Sequence, residues 1–275
     1  MNDTASEIKP QQSIELLKEL HILTRDGKMN QDSRRKLKQI YHLYNFVEPL
    51  LNQLQAADAK LTLIDHGAGK SYLGFMMYDL FFKNLDRGHI YGIETRQPLI
   101  ENSKKIADKL KFKNMSFLNL SVADSITDKN LPDQVDIVTA LHACDTATDD
   151  AIEFAIKKNA KHIVLIPCCQ AEVASVLKKN KPKQLANPMT EIWRHPIHTR
   201  EFGSHVTNVF RCLQLESYGY QVTVTEFVGL EHSMKNELII ATKIENKRQR
   251  HADRLNQILT DFGLTELSKR FSTDF

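Results

Sequence analysis

The stretch L61-T-L-I-D-H-G-A-G-K-S-Y-L73 decides the fold, because in it an apolar run meets two closely spaced glycines. Residues 61–65 predict a buried strand, and the amphipathic segment near 70–83 predicts a helix. Gly67 and Gly69 allow a sharp turn between the two, since glycine adopts backbone angles that other residues avoid. The helix that follows would present free backbone N–H groups to a ligand. The stretch therefore predicts a strand–turn–helix unit with a ligand at the turn.

The same alternation continues towards the C-terminus. Apolar runs at 89–94, 115–120, 135–141 and 162–167 alternate with amphipathic segments near 97–111, 147–158 and 170–179. Buried strands separated by helices are typical of a parallel sheet covered on both faces. Two later runs, 220–230 and 236–244, are joined by a short connection and predict an antiparallel pair. We therefore expect a Rossmann-like α/β fold, with a doubly wound seven-stranded sheet whose last strand pair is antiparallel.

Three regions are predicted from these patterns. They are a helical N-terminal extension over residues 1–58, the α/β domain over 59–245, and a basic helical tail over 246–275. Pro49 predicts a kink or a break in the N-terminal helices. Residues 181–203, rich in proline, histidine and basic side chains, predict an insertion or lid, and a helix is expected over about 204–217.

Composition narrows the class of protein. The hydrophobic fraction of 41% and the charged fraction of 26% are ordinary for a globular protein. There is no 18-residue apolar run and no apolar segment of a secretory signal at the N-terminus, so we expect neither a membrane partner nor export. The cysteines at 144, 168, 169 and 212 lack a disulfide framework spacing, which favours reduced thiols in the cytoplasm. The net charge of +3 permits a nucleic-acid partner without indicating one.

Three cofactors compete for the glycine turn. A P-loop requires G-x-x-x-x-G-K-[ST], and its first glycine is replaced here by Ile64. A dinucleotide site requires a third glycine, and Tyr72 occupies that position. S-adenosylmethionine fits Asp65 better, because an acid near its cationic amino-acid end attracts it and would repel a phosphate. Glu94, at the end of the next strand, could accept hydrogen bonds from both ribose hydroxyls. A plain turn in a non-catalytic α/β domain is the alternative.

Five motifs in order resemble a subfamily of class I methyltransferases. They are LIDHGAGKSYL (63–73), IYGIE (90–94), VDIVTALHACDTATDDAI (135–152), IVLIPCCQ (163–170) and KNELIIATK (235–243). The subfamily groups methyltransferase-like proteins described as carrying a ribosomal RNA adenine dimethylase domain, and it is related to acceptor-stem transfer-RNA 2′-O-methyltransferases. The resemblance covers about residues 60–243 and implies methyl transfer from S-adenosyl-L-methionine.

The resemblance also implies roles for individual residues. The residues implied to contact the methionine part of the cofactor are Asp65, His66, Gly67, Ala68 and Gly69, with Glu94 at the ribose. Those implied to flank the adenine are Ser121, Val122, Ala123 and Asp124. Leu141 and His142 would lie under the sulfonium and face the acceptor. The chain departs from the subfamily at Asp145, where a glycine is usual after H-A-C, and a charge there would alter the mouth of the site.

Side chains that follow the fourth and fifth strands are candidates for the chemistry. These candidates are His142, Cys144, Asp145, Cys168 and Cys169. His142 could act as a general base and a cysteine as a covalent nucleophile. A metal site is a second interpretation, but no C-x-x-C spacing supports it and we expect no metal. The cysteines could instead be soft residues that close the end of the sheet.

Two other segments are open to more than one interpretation. Lys235 and Asn236, between the last two strands, could border the acceptor pocket or form a plain hairpin connection. The histidines and arginines of residues 194–205 could form a lid, bind phosphate, or lie in a solvated loop. Cys212, in an apolar helical pattern, is predicted to belong to the core.

The leading functional hypothesis is methylation of RNA, with ribosomal or transfer RNA as the acceptor. Basic segments at 178–183, 194–200 and 247–254 agree with such a partner. The alternatives are methylation of a protein or a small molecule, and a methyltransferase-like protein that binds without catalysis.

Overall fold

The computed structural model describes residues 7–56, 60–85, 87–141, 145–167, 170–181, 187–227, 237–244 and 249–273. Its strands form a seven-stranded sheet in the order β3-β2-β1-β4-β5-β7-β6. They are β1 Leu61–His66, β2 Gly88–Ile93, β3 Met115–Leu118, β4 Ile137–Leu141, β5 His162–Ile166, β6 Tyr220–Glu226 and β7 Glu237–Lys243. β6 and β7 pair antiparallel, so the predicted Rossmann-like sheet with an antiparallel last pair is confirmed.

The helices alternate with the strands as the sequence pattern predicts. They are α1 Ile14–Glu19, α2 Gln31–Ala56, α3 Tyr72–Leu80, α4 Gln97–Leu110, α5 Val122–Thr127, α6 Thr146–Lys157, α7 Glu172–Asn180, α8 Pro196–Ser217 and α9 Gln249–Asp261. None of the helices among the described residues is long and apolar enough to cross a lipid bilayer. The chain divides into two compact units, residues 1–141 and 142–275.

In the first unit, β1 lies between β2 and β4 and is parallel to both. Every residue of β1 is buried, which explains its unbroken apolar run. The N-terminal segment is held to α3 by the buried Asp79, whose carboxylate accepts hydrogen bonds from Gln12 and from the Ser13 backbone. The predicted break at Pro49 does not occur, since α2 continues through it to Ala56. α5 lies outside the predicted helices, although Ser121 at its N-cap is a recognised start signal.

In the second unit, the core joins α7, α8 and α9. Trp193, Phe210 and Leu255 are at most 1% exposed, and Phe271 near the C-terminus is buried with them. The predicted C-terminal tail is therefore packed into this core. Its apolar stripe has a partner only in the tertiary structure, so the sequence pattern alone did not show where it docks.

The expected start of a helix near residue 204 is also corrected, while the insertion or lid over residues 181–203 stays a prediction. The segment from Pro188 to Trp193 is a 3₁₀ helix, and α8 begins at Pro196, eight residues before the predicted start. Trp193 stacks on Phe202 with ring centroids 5.2 Å apart and anchors this segment. Proline at the first turn of α8 is a helix-start signal that could have located the boundary.

Candidate functional site

The turn after β1 is a compact left-handed loop. Gly67 and Gly69 have φ of 67° and 59°, and Ser71, the residue before α3, has φ of 54°. The Ala68 N–H donates to the Ile93 carbonyl at 2.9 Å and the Ser71 N–H to the Ala68 carbonyl at 2.8 Å. Glycine adopts such angles at lower cost than residues with a Cβ, so the shape of the turn favours glycine at both positions. The turn is thereby held against the end of β2.

Asp65 lies beneath this turn and is 2% exposed. Burial raises the pKa of its carboxyl group to about 7, although hydrogen bonds from the Thr139 hydroxyl and the Gly74 N–H act in the opposite direction. The Thr139 Oγ1 donates to Asp65 Oδ1 at 2.9 Å. Burial also lowers the pKa of the neighbouring His66 to about 4, so its imidazole is neutral near pH 7. The floor of the turn therefore holds a carboxyl group poised to ionise and a neutral imidazole.

Glu94 follows β2 and reaches the glycine turn. Its Oε2 accepts a hydrogen bond from the Gly69 N–H at 2.9 Å, and its side chain is 6% exposed. Burial by itself would raise the pKa of Glu94, but the hydrogen bonds and charge of Arg96 and the Gly69 N–H lower it to about 2. A fixed negative charge therefore stands at the edge of the turn, where the sequence predicts a ribose acceptor.

Arg96 covers this carboxylate, a contact that sequence reasoning missed. Its Nε donates to Glu94 Oε1 and its Nη2 to Glu94 Oε2, each at 3.0 Å. A Cβ placed on Gly69 would lie 3.8 Å from the same Nη2, so the guanidinium extends over the turn. The Arg96 side chain is 66% exposed. It can therefore leave Glu94 without disturbing the core.

The predicted adenine residues begin α5. Ser121 Oγ accepts from the Asp124 N–H at 3.2 Å and donates to Asp124 Oδ2 at 2.6 Å. Ser121, Ala123 and Asp124 are exposed and Val122 is half-buried. Asn119, which sequence reasoning missed, donates from Nδ2 to the Glu94 carbonyl at 3.0 Å. This amide joins the loop after β3 to the loop after β2.

The structure thus collects the predicted cofactor residues of the first unit along one edge of four neighbouring strands. The glycine turn follows β1, Glu94 follows β2, Ser121 follows β3, and β4 ends at the half-buried Leu141. Ligands of doubly wound sheets bind at this carboxyl edge. The arrangement can hold an elongated ligand that offers hydrogen-bond donors to Glu94.

Several predicted catalytic residues lie outside the described residues. These are His142, Cys144, Cys168, Cys169, Lys235 and Asn236, and their roles stay predictions. The cysteine that the structure does describe, Cys212, is partly buried, and burial raises the pKa of its thiol to about 12. In the described part of the chain, no group of three or more histidine, cysteine, aspartate or glutamate side chains could hold a metal ion.

Asp145 is the first described residue after β4, and its conformation is unusual. Its φ of 50° and ψ of −120° lie in a region that favours glycine. Its Oδ1 accepts hydrogen bonds from the N–H groups of Ala171 and Glu172, at 3.0 and 3.4 Å. The carboxylate therefore satisfies free N–H groups at the start of α7. A catalytic role for Asp145 stays a prediction.

A buried ion pair supports the backbone of Asp145. Arg211 is fully buried, and its Nε and Nη2 donate to Asp149 Oδ1 at 2.6 Å and to Asp149 Oδ2 at 3.0 Å. Its Nη2 also donates to the Asp145 carbonyl at 2.9 Å, and its Nη1 to Asn208 Oδ1 at 3.1 Å. Sequence reasoning missed this network, because nothing local pairs residues 62 positions apart.

The basic segment 194–205 contributes exposed side chains to the second unit. His195, His198 and His205 are exposed, and the rings of the first two meet edge to face with centroids 5.4 Å apart. Arg194 and Arg200 form ion pairs with neighbouring glutamates at 3.2 and 2.8 Å. Arg194 and His195 directly precede α8, and the other basic residues of the segment lie within it. The segment is therefore mostly helical and does not form a loop. Roles in phosphate binding or as a lid stay predictions.

Comparison with known proteins gives a family match and distant relatives. A family model described as a methyltransferase domain matches residues 35–176, just over half of the chain. The curated proteins named glutathione S-transferase C-terminal domain-containing protein, from Homo sapiens and Mus musculus, are 26% and 29% identical over 238 residues. Each alignment covers 80% of this chain and 35% of the relative, so the chain spans about a third of the length of these proteins.

Solved structures with a similar fold are more distant in sequence. The carbon methyltransferase DszA is 13% identical with a TM-score of 0.49, over 87% of this chain and 60% of that chain. The precorrin-6y C5,15-methyltransferase of Geobacter metallireducens GS-15 is 18% identical with a TM-score of 0.40, over 66% of this chain and 80% of that chain.

Proposed function

Because this chain belongs to the methyltransferase domain family, we propose that it transfers a methyl group from S-adenosylmethionine, bound at the glycine turn and Glu94. The observation that carries the proposal is the buried, ionised Glu94 carboxylate, held 2.9 Å from the Gly69 N–H. A carboxylate at this place accepts hydrogen bonds from a ribose diol. The negative charge also disfavours a phosphate at the same point.

The residues present fit the ribose of this cofactor after one rearrangement. Glu94 already accepts five hydrogen bonds, the longest of them at 3.3 Å from the Thr95 hydroxyl, and a carboxylate offers about four acceptor positions. Two of the donors, Nε and Nη2, belong to the exposed Arg96 side chain. Two ribose hydroxyls can replace these two donors, while the backbone N–H groups of Gly69 and Arg96 keep their bonds. We therefore propose that Arg96 leaves Glu94 when the cofactor binds.

The remaining cofactor contacts follow from the same edge of the sheet. The cofactor supplies an activated methyl group on its sulfonium. Asp65, with a pKa near neutrality, would ionise more readily beside a cationic amino group. The exposed start of α5 offers Val122 as an apolar wall and Asp124 as a polar partner for the adenine. In this proposal these residues bind and orient the cofactor, and residues 141–145 face the methyl acceptor.

Titration calorimetry with S-adenosylmethionine, NAD and ATP tests the cofactor assignment. We expect binding of the first alone, a loss of tenfold or more for Glu94→Gln, and no binding for Gly67→Val, whose side chain would be strained at a φ of 67°. Glu101→Gln, the same charge change on an exposed residue of α4, is the matched control. Tighter binding of NAD or ATP than of S-adenosylmethionine would overturn the assignment.

Arg96→Gln tests the rearrangement separately. The variant has no guanidinium to displace, so we expect S-adenosylmethionine to bind at least as tightly as in the wild type. A loss as large as that of Glu94→Gln would show that Arg96 is a direct ligand instead of a competitor. Together, the two variants distinguish Glu94, which would accept the hydrogen bonds of the ribose, from Arg96, which covers it.

We propose RNA as the methyl acceptor, with ribosomal or transfer RNA as the class. The support is the five-motif resemblance together with exposed basic residues such as Lys178, Arg194 and Arg200. Arg194 and Arg200 have acidic partners, but exposed ion pairs contribute little and can exchange for phosphates. The alternatives are a protein or small-molecule acceptor and binding without catalysis.

Transfer of a tritiated methyl group identifies the acceptor class. The chain is incubated with labelled S-adenosylmethionine and either total RNA or lysate protein, with Glu94→Gln as the inactive control. We expect label in RNA, in a fraction that ribonuclease releases. Label only in protein would exclude an RNA acceptor. Cofactor binding without label in either fraction would favour the non-catalytic alternative.

A further inference from the structure

Two exposed lysines and a tyrosine lie together where the glycine turn leads into α3. Lys70 belongs to the turn, and Tyr72 is the first residue of α3. The Nζ of Lys36, on α2, lies 5.8 Å from the centroid of the Tyr72 ring. Both lysines are exposed, and Tyr72 is half-buried. The long N-terminal helix therefore supplies a cation to the rim of the site proposed for the methyl donor.

The charges of both lysines are available to a ligand. Neither Lys36 nor Lys70 forms an ion pair with any residue that the structure describes. The acid in the first turn of α2, Asp32, pairs instead with Arg35 at 3.5 Å. An exposed cation–π contact close to the limiting distance of about 6 Å is weak, so Lys36 can exchange the Tyr72 ring for a phosphate. Such a rim attracts a ligand with repeated negative charges.

The Tyr72 ring narrows the class of that ligand. Aromatic faces stack on nucleobases with little preference for which base it is, whereas an acidic peptide need offer no planar base. Cations that alternate with an aromatic side chain are typical of surfaces that bind single-stranded nucleic acid. The surface therefore fits an unpaired RNA strand better than an acidic protein.

Arg96 adds a third cation when its acidic partner is occupied by another ligand. A Cβ on Gly69 would lie 3.8 Å from Arg96 Nη2, so the guanidinium lies beside the residue that precedes Lys70. Glu94 neutralises this guanidinium and accepts from its Nε and Nη2 at 3.0 Å each. Ribose hydroxyls at Glu94 would release it, and a released guanidinium binds phosphate through two parallel hydrogen bonds. Occupancy at Glu94 is thereby connected to the charge of this surface.

We propose that Lys36, Lys70 and Tyr72 bind a single strand of the RNA acceptor beside the methyl donor. Arg96 joins this surface once the cofactor has displaced it from Glu94, a step that rests on the proposed cofactor site. The two ligands then bind cooperatively, because each favours the state in which Arg96 has left Glu94. Linkage requires each ligand to raise the affinity of the other by the same factor. All of these side chains belong to the first unit.

Fluorescence anisotropy with the full chain and a labelled, unstructured eight-nucleotide RNA tests the surface. Lys36→Gln/Lys70→Gln should weaken binding fivefold or more and reduce the slope of log affinity against log salt by about 1.4, because a single strand releases about 0.7 counterion for each phosphate contacted. Tyr72→Leu should weaken binding about fivefold or more, whereas Tyr72→Phe keeps the ring and should bind as the wild type does. Lys60→Gln/Lys113→Gln is the matched control, since these exposed lysines precede β1 and β3 at the opposite edge of the sheet.

The same titration with S-adenosylhomocysteine, which has no methyl group to transfer, tests the coupling. We expect saturating S-adenosylhomocysteine to raise the RNA affinity of the wild type threefold or more. Calorimetry should show that RNA raises the affinity for S-adenosylhomocysteine by the same factor. Arg96→Gln should bind RNA equally well with and without S-adenosylhomocysteine, because it has no guanidinium to release.

The outcomes separate this surface from the proposed cofactor site. The surface is wrong if no RNA binds, if Lys36→Gln/Lys70→Gln keeps the wild-type affinity, or if the control pair loses as much. Oligoglutamate that binds as tightly as the RNA would also overturn it and would indicate an acidic protein partner. The coupling is wrong if S-adenosylhomocysteine binds without changing the RNA affinity, or if Arg96→Gln retains the change. Failure of S-adenosylhomocysteine to bind overturns the cofactor site and the coupling, whereas the lysine variants still decide the surface.

Discussion

Replacing Asp145 separates two effects that this residue combines, a strained backbone and a cap on α7. Its φ of 50° and ψ of −120° suit glycine, while its carboxylate accepts the N–H groups of Ala171 and Glu172. Asp145→Ala removes the cap and keeps the strain. Asp145→Gly removes both. Asp145→Asn keeps one acceptor oxygen and the strain. The three variants therefore measure each contribution by difference.

The expected magnitudes follow from these contacts. Loss of a side-chain cap costs about 0.5–2 kcal/mol, so Asp145→Ala should be about 1–2 kcal/mol less stable than the wild type. Relief of a sparsely populated conformation returns roughly 1–3 kcal/mol, less about 0.5–1 kcal/mol for the greater freedom of unfolded glycine. The glycine variant should then exceed the alanine variant by about 1 kcal/mol.

Urea unfolding followed by circular dichroism measures these differences. The slopes of the transitions should match among the variants, so that a shifted midpoint reports stability and not a change of denatured state. We expect the order wild type, asparagine, glycine and alanine, with the alanine variant the least stable. An alanine variant equal to or more stable than the glycine variant would refute the strained conformation of residue 145.

Three further predictions concern the packing of α8, the buried carboxyl group of Asp65 and the buried Arg211–Asp149 pair. Gly203→Ala should lower the free energy of unfolding in urea by about 1–3 kcal/mol, because its Cβ would lie 2.7–2.8 Å from atoms of α7. Gly74→Ala is the control, since its Cβ meets only contacts of 3.7 Å or more. Equal effects of the two substitutions would contradict the prediction. The pKa of the Asp65 carboxyl group is about 7 in the folded protein and 3.8 in an unfolded chain, so the folded state binds this proton more tightly. Its contribution to the free energy of unfolding is complete below pH 3.8 and is lost as the pH rises to 7. The free energy of unfolding of Asp65→Asn should therefore rise relative to that of the wild type over this pH range, by at most about 1.4 kcal/mol per pH unit. A difference between the two proteins that does not change with pH would argue against a raised pKa. Arg211→Met should lower the free energy of unfolding by about 3–5 kcal/mol, with partial rescue by the added Asp149→Leu, and failure of that rescue would show that the buried charge is not the cause.

Much of the fold could be predicted because its determinants are local. The strand–turn–helix at residues 61–73 follows from an apolar run and two glycines, both of which the structure uses as expected. Glu94 could be placed after β2 because a strand end is visible in the sequence pattern. Boundaries were less well predicted, as the early start of α8 shows, since the patterns that mark them depend on which face finds a partner.

Contacts between distant residues could not be predicted. Arg96 on Glu94 is close in sequence, yet only the backbone turn after β2 brings its guanidinium over Gly69. The cap that Asp145 provides spans 26 residues, and the Arg211–Asp149 pair spans 62. Composition and periodicity contain no information about such pairs.

By itself, the sequence determined the alternation of strands and helices except for α5, the glycine turn and the acid that faces it, because spacing and backbone preference act over a few residues. The tertiary structure alone decided that Glu94 is covered, that Asp145 caps α7, and that Lys36 of α2 lies over the ring of Tyr72 beside the turn. The physical reason is that burial, charge pairing and strain arise only when distant segments meet.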